Sequence, residues 1–471
     1  VVDSIEDKKE EEIMTTDTAY KAFLEKKKHS TNNYGIDPIW LPERMFDYQK
    51  YVTEYAIKKG RCGIFLDTGL GKSLCELTIA YNYVRHTNKP VLIITPLAVA
   101  FQFLKEAQKF GIDDIEYSKH GKFRSKIVIC NYERLQYFNH TDFDCVLLDE
   151  SSILKNFDGS IKQQITSFIK NVKYRYLFTA TPSPNDFIEL GTSSEALGYL
   201  GYTDMLTKFF TNNEDTISPQ NIGTQWVLKG HAREAFFQWV SGWSISMRRP
   251  SDLGFDDSTH LLPELAVNEY CVENTQRDEL FDKVIKTLPE IKAEQRQTLS
   301  ERCEKAVEVA SEHNVSVYWT NLNDEADLIQ KLDKNSFQIK GSMDIDKKED
   351  LLLNFLNGNI KKLITKPKIT AFGLNWQHCN HTVYFPTFSY EQYYQAIRRF
   401  WRFGQTEEVN VDLVFSSGQR RMLESLLAKA EKANELFSKL NANLNKSYEV
   451  SSKGFDKKIA LPEFVKGSLR K

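Results

Sequence analysis

An apolar run that passes directly into a glycine-bearing loop constrains this chain more than anything else in it: Cys62 to Ser73 reads C-G-I-F-L-D-T-G-L-G-K-S. Gly69 and Gly71 let the backbone turn its N–H groups inward at a helix start, where unpaired amides and the helix dipole favour an anion such as a triphosphate. In such a loop Thr68, Gly69 and Gly71 line the phosphates, Lys72 reaches the β and γ phosphates, and Ser73 holds Mg²⁺. The pattern G-x-x-x-x-G-K-[S/T] asks for glycine at position 66, where this chain has Leu66. A Gly-Lys-Ser turn capping an ordinary helix is therefore the competing reading of the loop by itself.

The rest of the first half decides between them. V-L-I-I-T-P (91–96), K-I-V-I-C-N (126–131), D-C-V-L-L-D-E (144–150) and Y-R-Y-L-F-T-A-T-P (174–182) are short apolar runs separated by helical patterns. Runs of this kind are buried on both faces of a parallel sheet, and their alternation with helices predicts a doubly wound α/β domain with its site at the carboxyl ends of the strands. One strand delivers Asp149 and Glu150 at its end. Successive side chains point to opposite sides, so Asp149 is expected to bind the Mg²⁺ shell and Glu150 to orient and deprotonate an attacking water. Upstream, L-P-E-R-M-F-D-Y-Q-K-Y-V spaces Phe46, Tyr48, Val52 and Ala56 as a helix and leaves Gln49 on another side. Its amide is both donor and acceptor and suits an adenine edge; an exposed helix glutamine is the bland alternative.

Residues 183 to about 265 break the alternation. Helical patterns at Phe187–Leu200 and Ala232–Trp243, then M-R-R-P-S-D-L-G-F-D-D, predict a helical elaboration followed by a connector. Arg248 and Arg249 read there as a solvated basic pair or a phosphate-backbone contact. The stretch 270–312 reads as charged and helical. A second alternating block follows: V-S-V-Y-W-T-N (315–321), S-F-Q-I-K-G-S-M (336–343), K-K-L-I-T-K (361–366), H-T-V-Y-F-P (381–386) and V-N-V-D-L-V-F (409–415). It has no phosphate loop of its own, so it is expected to complete the site of the first. E-Q-Y-Y-Q-A-I-R-R-F-W-R-F-G-Q (391–405) supplies the means: on a helix Gln395, Arg399 and Arg402 share a face and can serve as arginine fingers. Tyr394, Ile397 and Trp401 read as core, and Arg398 as a structural ion pair pointing elsewhere.

In order and spacing these segments resemble the core of superfamily 2 helicases, and within it the Swi/Snf-like DNA-dependent ATPases, over residues 40 to 425. Gln49 is similar to the Q motif, D-T-G-L-G-K-S to motif I, Thr95-Pro96 to motif Ia, Asn131-Tyr132-Glu133 to motif Ib, D-E-S-S to motif II and T-A-T-P (179–182) to motif III. Y-W-T-N resembles motif IV, G-S-M (341–343) the block after it, F-G-L-N (372–375) motif V, and Q-A-I-R-R-F-W-R-F-G-Q motif VI. D-E-S-S-I-L-K, T-P-S-P-N-D and F-G-L-N-W-Q-H-C resemble compact helicases of bacteriophages and prophages most closely.

The resemblance implies two tandem RecA-like α/β domains with a helical insertion and helical or flexible ends. Their extents are a charged extension (1–35), domain 1 (36–255, elaborated at about 186–250), domain 2 (256–425) and a C-terminal helix and tail (426–471). It implies a nucleic-acid-dependent ATPase using ATP and Mg²⁺, with Gly373 and Gln395 adding to the nucleotide site. Ser152, Thr179 and Thr181 couple the nucleotide to motif III, Ser152 standing where many relatives have His. Nucleic acid lies against Thr95, Pro96, Asn131, Tyr132, Gly341, Ser342, Lys366, Lys368 and Asn375, held by sequence-independent phosphate contacts. Double-stranded DNA translocation is the leading expectation. A strand-separating helicase on single-stranded DNA or RNA, a nucleotide-gated scaffold, and the motor subunit of a phage replication, recombination or restriction-modification assembly are the alternatives.

Composition adds exclusions. Net charge is −2, so bulk charge gives no sign of nucleic acid. Seven cysteines (62, 75, 130, 145, 271, 303, 379) contain no C-x-x-C pair and read as reduced core thiols, with no zinc site expected. No apolar run reaches a membrane span and the opening V-V-D-S-I-E-D-K-K-E-E-E lacks a signal-peptide core, so no membrane and a cytoplasmic location, the host's if phage-encoded, are expected.

Overall fold

The computed structural model describes residues 34–96, 99–155, 160–212, 226–258, 260–273, 288–370 and 375–449. Its frame is two parallel sheets. The first has seven strands: β1 (Arg61–Leu66), β2 (Val91–Thr95), β3 (Ile115–Tyr117), β4 (Ile127–Asn131), β5 (Cys145–Leu148), β6 (Tyr174–Phe178) and β9 (Ser244–Met247), in the order β3-β4-β2-β5-β6-β1-β9. β1, β2, β4, β5 and β6 are the apolar runs of the sequence, and nearly all their residues are buried. α1 (Asp47–Lys59), α2 (Lys72–Thr87) and α3 (Ala100–Lys109) cover one face, which carries Val52, Ile64, Leu77, Ile93 and Phe103. α4 (Ser160–Lys170), α5 (Leu190–Leu197), α6 (Tyr202–Phe209) and α7 (Arg233–Ser241) cover the other, with a short hairpin β7 (Phe210–Asn212) and β8 (Trp226–Leu228).

β9 lies in the segment expected to be a helical elaboration, and only its last residue, Met247, falls in the expected connector. All four of its residues are buried beside β1, and its two serines are satisfied: Ser244 Oγ donates to Val240 O at 2.8 Å and Ser246 Oγ to Asn441 Oδ1 at 2.7 Å.

The second sheet has six strands in the order β10-β15-β14-β11-β13-β12: β10 (Leu265–Val272), β11 (Ser316–Trp319), β12 (Ser336–Gln338), β13 (Lys362–Thr365), β14 (His381–Tyr384) and β15 (Val409–Ser416). β10 falls partly in the stretch expected to be helical; it pairs along its whole length with β15 at the sheet edge. α8 (Leu288–Gln297), α9 (Leu299–Ser311), α10 (Asn323–Leu332), α11 (Ile345–Leu356), α12 (Pro367–Thr370) and α13 (Tyr390–Ile397) complete this domain.

The C-terminal helix α14 (Arg420–Glu449) begins against the second domain, where Met422, Leu423 and Leu426 are buried, and ends in the core of the first, where Leu436, Phe437 and Leu440 are buried. Arg248 does not face solvent as a basic patch. Its guanidinium lies 4.4 Å from the ring centroid of Phe437 and bonds to Asn434. Arg249 is exposed, with an ion pair to Asp252 at 3.6 Å. The N-terminal extension through residue 33 and the tail from 450 lie outside the described residues, and no described helix is long and apolar enough to cross a membrane.

Candidate active site

The phosphate loop turns where its glycines allow it to. β1 runs through Leu66, a buried strand residue paired with Met247, so position 66 needs no glycine. The left-handed backbone falls on Gly69 (φ 88°) and Gly71 (φ 80°), and α2 starts at Lys72. A Cβ on Gly71 would come within 2.2 Å of Gln49 Nε2, and one on Gly69 within 3.1 Å of Phe403 from the second domain. Lys72 Nζ donates to Leu66 O at 3.0 Å and Asp67 O at 3.4 Å, while the Ser73 side chain is hydrogen-bonded to Glu106 on α3. Gln49 is not the exposed helix glutamine of the bland reading: it is buried, donating to Leu70 O at 3.0 Å and accepting from Phe46 N at 3.1 Å.

Asp149 and Glu150 leave the end of β5 into this space. Glu150 has φ 49°, in the left-handed region that a non-glycine residue enters at a cost. Burial and the neighbouring Glu150 push the Asp149 carboxyl up to about 7, against the opposing pull of Lys72 and Thr95. Glu76, one turn into α2, is fully buried and is also driven well up, by burial and by Asp149. Both Glu76 oxygens and Glu150 Oε2 are buried without a hydrogen-bond partner. Asp149 and Glu76 thus share one lysine, with Glu150 beside them.

The second domain brings the cations. Arg399 is buried and Arg402 half-buried, and desolvation pulls their guanidinium pKa values down to about 9 and about 10. Glu150 and Asp149 partly offset this at Arg399, as do Glu106 and Asp67 at Arg402. Their convergence does not come from a shared helix face. α13 ends at Ile397, and residues 398–404 continue as turns, in which Arg399 N bonds to Ala396 O at 3.2 Å and Arg402 N to Phe400 O at 3.1 Å. Gln395 is fully buried beneath Arg399 and accepts from its Nη2 at 3.5 Å.

Side chains the sequence reading set apart complete the contact. Arg398 and Tyr394 both bind Asp67 of the phosphate loop. Lys155, just past Glu150, pairs with Glu391 on α13. His260 accepts or donates with Tyr48 OH at 2.8 Å and stacks on Phe403 at 4.8 Å, next to Gln49. Arg398 was legible as a charge but not its direction, because the helix that would set its face stops one residue earlier.

Several residues expected to touch nucleic acid are placed elsewhere. Thr95 is fully buried and donates to Asp149 Oδ2 at 2.9 Å, so it braces the carboxylate. Tyr132 is buried and donates to the carbonyls of Asp149 (2.5 Å) and Glu150 (3.3 Å). Asn131 is buried against Tyr117 OH at 2.8 Å. These three face the carboxylate layer or the core because β2 lies beside β5 in the sheet and β4 beside β2. Pro96 and Lys366 are half-buried, whereas Gly341, Ser342, Lys368 and Asn375 are exposed. Thr179 Oγ1 accepts from Thr181 N at 3.0 Å, and Thr181 and Ser152 are buried, Ser152 two residues past Glu150. Gly373 lies outside the described residues.

Family comparisons agree with this geometry. The DEAD/DEAH box helicase family matches residues 46–189, and the helicase conserved C-terminal domain matches residues 297–404, together more than half of the chain. Among curated proteins, the DNA annealing helicase and endonuclease ZRANB3 of Bos taurus is 25% identical over 178 residues, 34% of this chain and 16% of its own length. The ATP-dependent helicase FUN30 of Saccharomyces cerevisiae is 25% identical over 268 residues, 50% of this chain and 22% of its own length. The SWI/SNF-related matrix-associated actin-dependent regulator of chromatin subfamily A-like protein 1 of Xenopus tropicalis is 24% identical over 168 residues, 33% of this chain and 18% of its own length. The matches therefore span about a fifth or less of these relatives. The Sulfolobus solfataricus SWI2/SNF2 ATPase core in complex with dsDNA aligns over 86% of this chain and 95% of its own, with 18% identity and a TM-score of 0.41.

These findings correct the cytoplasmic placement: the curated relatives named are a DNA annealing helicase and endonuclease, an ATP-dependent helicase and a regulator of chromatin, all from eukaryotes. They lend nothing to a phage origin. With the two halves of the candidate site on separate RecA-like domains and each domain matched by its own helicase family, this chain belongs to the superfamily 2 helicase-type ATPases.

Proposed function

We propose that the chain is the motor core of a double-stranded DNA translocase that hydrolyses ATP in the cleft between its two domains. The observation that carries this reading is the meeting of two incomplete half-sites. Lys72, Ser73, Asp149 and Glu150 stand on one domain with excess buried negative charge, and Arg399 and Arg402 come from the other. Their chemistry fits a Mg²⁺–triphosphate: Glu150 Oε2 and Arg402 Nε are buried and unpaired, and Lys72 and Ser73 are held by contacts a phosphate group would replace.

Ser73 and Asp149 would hold Mg²⁺, which when bound neutralises charge on the phosphates and on the carboxylate layer. Thr95 keeps Asp149 oriented through its 2.9 Å bond, and Tyr132 fixes the backbone that presents Glu150. Glu150, adjacent to the metal position, is the group to take a proton from water. Arg399 and Arg402 supply positive charge where negative charge develops, a term on the order of 10³ to 10⁵ in rate for such fingers. Gln49 would read the adenine edge only after exchanging its bond to Leu70 O.

DNA is favoured as the track by the name of the relative ZRANB3, a DNA annealing helicase. Exposed Gly341 and Ser342 follow β12, and half-buried Lys366 and exposed Lys368 follow β13; these, with exposed Asn375, suit phosphate contacts.

Steady-state ATP hydrolysis with no nucleic acid, single-stranded DNA, duplex DNA and RNA tests this. Duplex is expected to stimulate most, with Lys72→Ala and Glu150→Gln each lowering the rate by about 10² or more. Stimulation by single strands alone would instead support a strand-separating helicase, and no hydrolysis above Lys72→Ala under any condition would remove the motor reading.

A further inference from the structure

Arg398 lies at a polar contact between the two domains. Its side chain is 4% exposed and pairs with Asp67 Oδ2 at 2.6 Å. Nε donates to Thr68 Oγ1 at 2.7 Å, Nη2 to Thr68 O at 3.3 Å, and Nη1 back to Trp401 O at 3.0 Å. Tyr394, one helical turn earlier, donates its hydroxyl to Asp67 Oδ1, which also accepts from Thr68 N at 2.6 Å. Asp67 and Thr68 are the first two residues of the phosphate loop. They lie between Leu66, whose carbonyl holds Lys72, and Gly69, on which Phe403 packs. Arg399 is the next residue after Arg398, and Arg402 lies three further on.

We propose that Arg398, with Tyr394, is a positioning residue that latches the phosphate loop to the segment carrying Arg399 and Arg402, so that making this contact brings both finger arginines to the triphosphate. The inference rests on the ATPase reading above. Its physical basis is that the pair is buried and fully hydrogen-bonded only when the domains are closed. Removing one partner leaves an unpaired buried charge in the closed form alone, whereas in the open form both groups are solvated. The closed form is the one that turns over, so the effect falls on kcat. ATP binding by the first domain, which needs Lys72 and the loop amides, is affected much less.

A double-mutant cycle on the full chain with saturating duplex DNA tests this, using Asp67→Asn, Arg398→Gln and the pair, with kcat, KM and binding of a fluorescent ATP analogue as readouts. Each single change is expected to lower kcat about tenfold or more. The double variant should be no slower than the slower single, analogue affinity should stay within about threefold, and Arg398→Lys should recover part of the rate. Wild-type kcat in Arg398→Gln, or single effects that multiply in the double variant, would overturn the latch while leaving the ATPase intact. A wild-type protein that hydrolyses no ATP would overturn the motor reading and the latch together. Should Arg398→Gln fail to fold, Tyr394→Phe deletes only the hydroxyl that reaches Asp67; it is expected to lower kcat severalfold, and an unchanged kcat would refute the proposal.

Discussion

Asp149 is placed where its charge is hardest to keep. It is 5% exposed, beside Glu150 and near Glu76, with Lys72 and Thr95 as the groups that oppose its protonation. A carboxyl whose folded pKa lies above its ordinary value costs the folded state stability as it ionises. The ligand-free protein is therefore expected to lose stability as pH rises from about 4 through about 7, the interval between the ordinary Asp149 value and its folded one. Glu76 shifts in the same direction. Asp149→Asn removes the cost, so its thermal midpoint at about pH 8 should exceed the wild type's by a few degrees while ATP hydrolysis is lost. Thermal scans with and without Mg²⁺–ATP check both halves: the ligand should raise the midpoint of the wild type and not of the variant. A variant less stable than the wild type at high pH would show that Asp149 is paired better than its surroundings indicate.

At the scale of elements, α14 carries the most consequential contact outside the cleft. It leaves β15 in the second domain and seats Leu436 (1% exposed), Phe437 and Leu440 in the core of the first. Along the way Lys429 donates to Phe388 O at 2.6 Å, and Lys432 pairs with Asp186 at 3.3 Å. A carboxylate at position 436 would be buried without a partner. Leu436→Asp is expected to cost at least about 3 kcal/mol of first-domain stability. Denaturant unfolding followed by tryptophan fluorescence, and protease cleavage within α14, would show it, and unchanged cleavage would mean that the helix end is held by other contacts. The sequence named this helix and its apolar positions but left open whether they dock on the core or on another protein. An amphipathic stripe specifies that a face must be covered, not which surface covers it.

For the whole molecule, the proposed DNA track raises the question of how a chain of net charge −2 would grip a polyanion. Its lysines would have to act locally, and the candidates are Lys366 and Lys368, on either side of Pro367 and close in sequence to Ile369, which lies 3.7 Å from the Cβ position of Gly341. Replacing both with alanine is expected to weaken duplex binding about equally for all sequences and to reduce the slope of log affinity against log salt by about 1 to 2. Binding titrations at several salt concentrations measure this. A slope that does not change would place the DNA on another part of the surface.

The alternation of short apolar runs with helices, the glycines at 69 and 71 and the Asp149–Glu150 strand end were enough to specify two parallel-sheet domains and to name the candidate residues of the first half-site. Each is a local signal: burial on both faces requires a continuous apolar strand, and a left-handed turn requires glycine. Strands β9 and β10 escaped because S-I-S-M and L-A-V-N-E-Y-C-V lack an apolar run. Ser244 and Ser246 become strand residues only when Val240 and Asn441 satisfy their hydroxyls. Thr95, Asn131 and Tyr132 were legible as motif residues but not in direction, because it is the order of strands in the sheet that sets them around Asp149 or the core. Arg398 is the sharpest case. Its charge is in the sequence, but its partner is 331 residues away, and only the approach of one domain to the other decides that it binds Asp67. Local composition and spacing determined the two folds and the half-sites on them; which half meets which, and through which side chains, is a matter of long-range packing that only the tertiary structure decides.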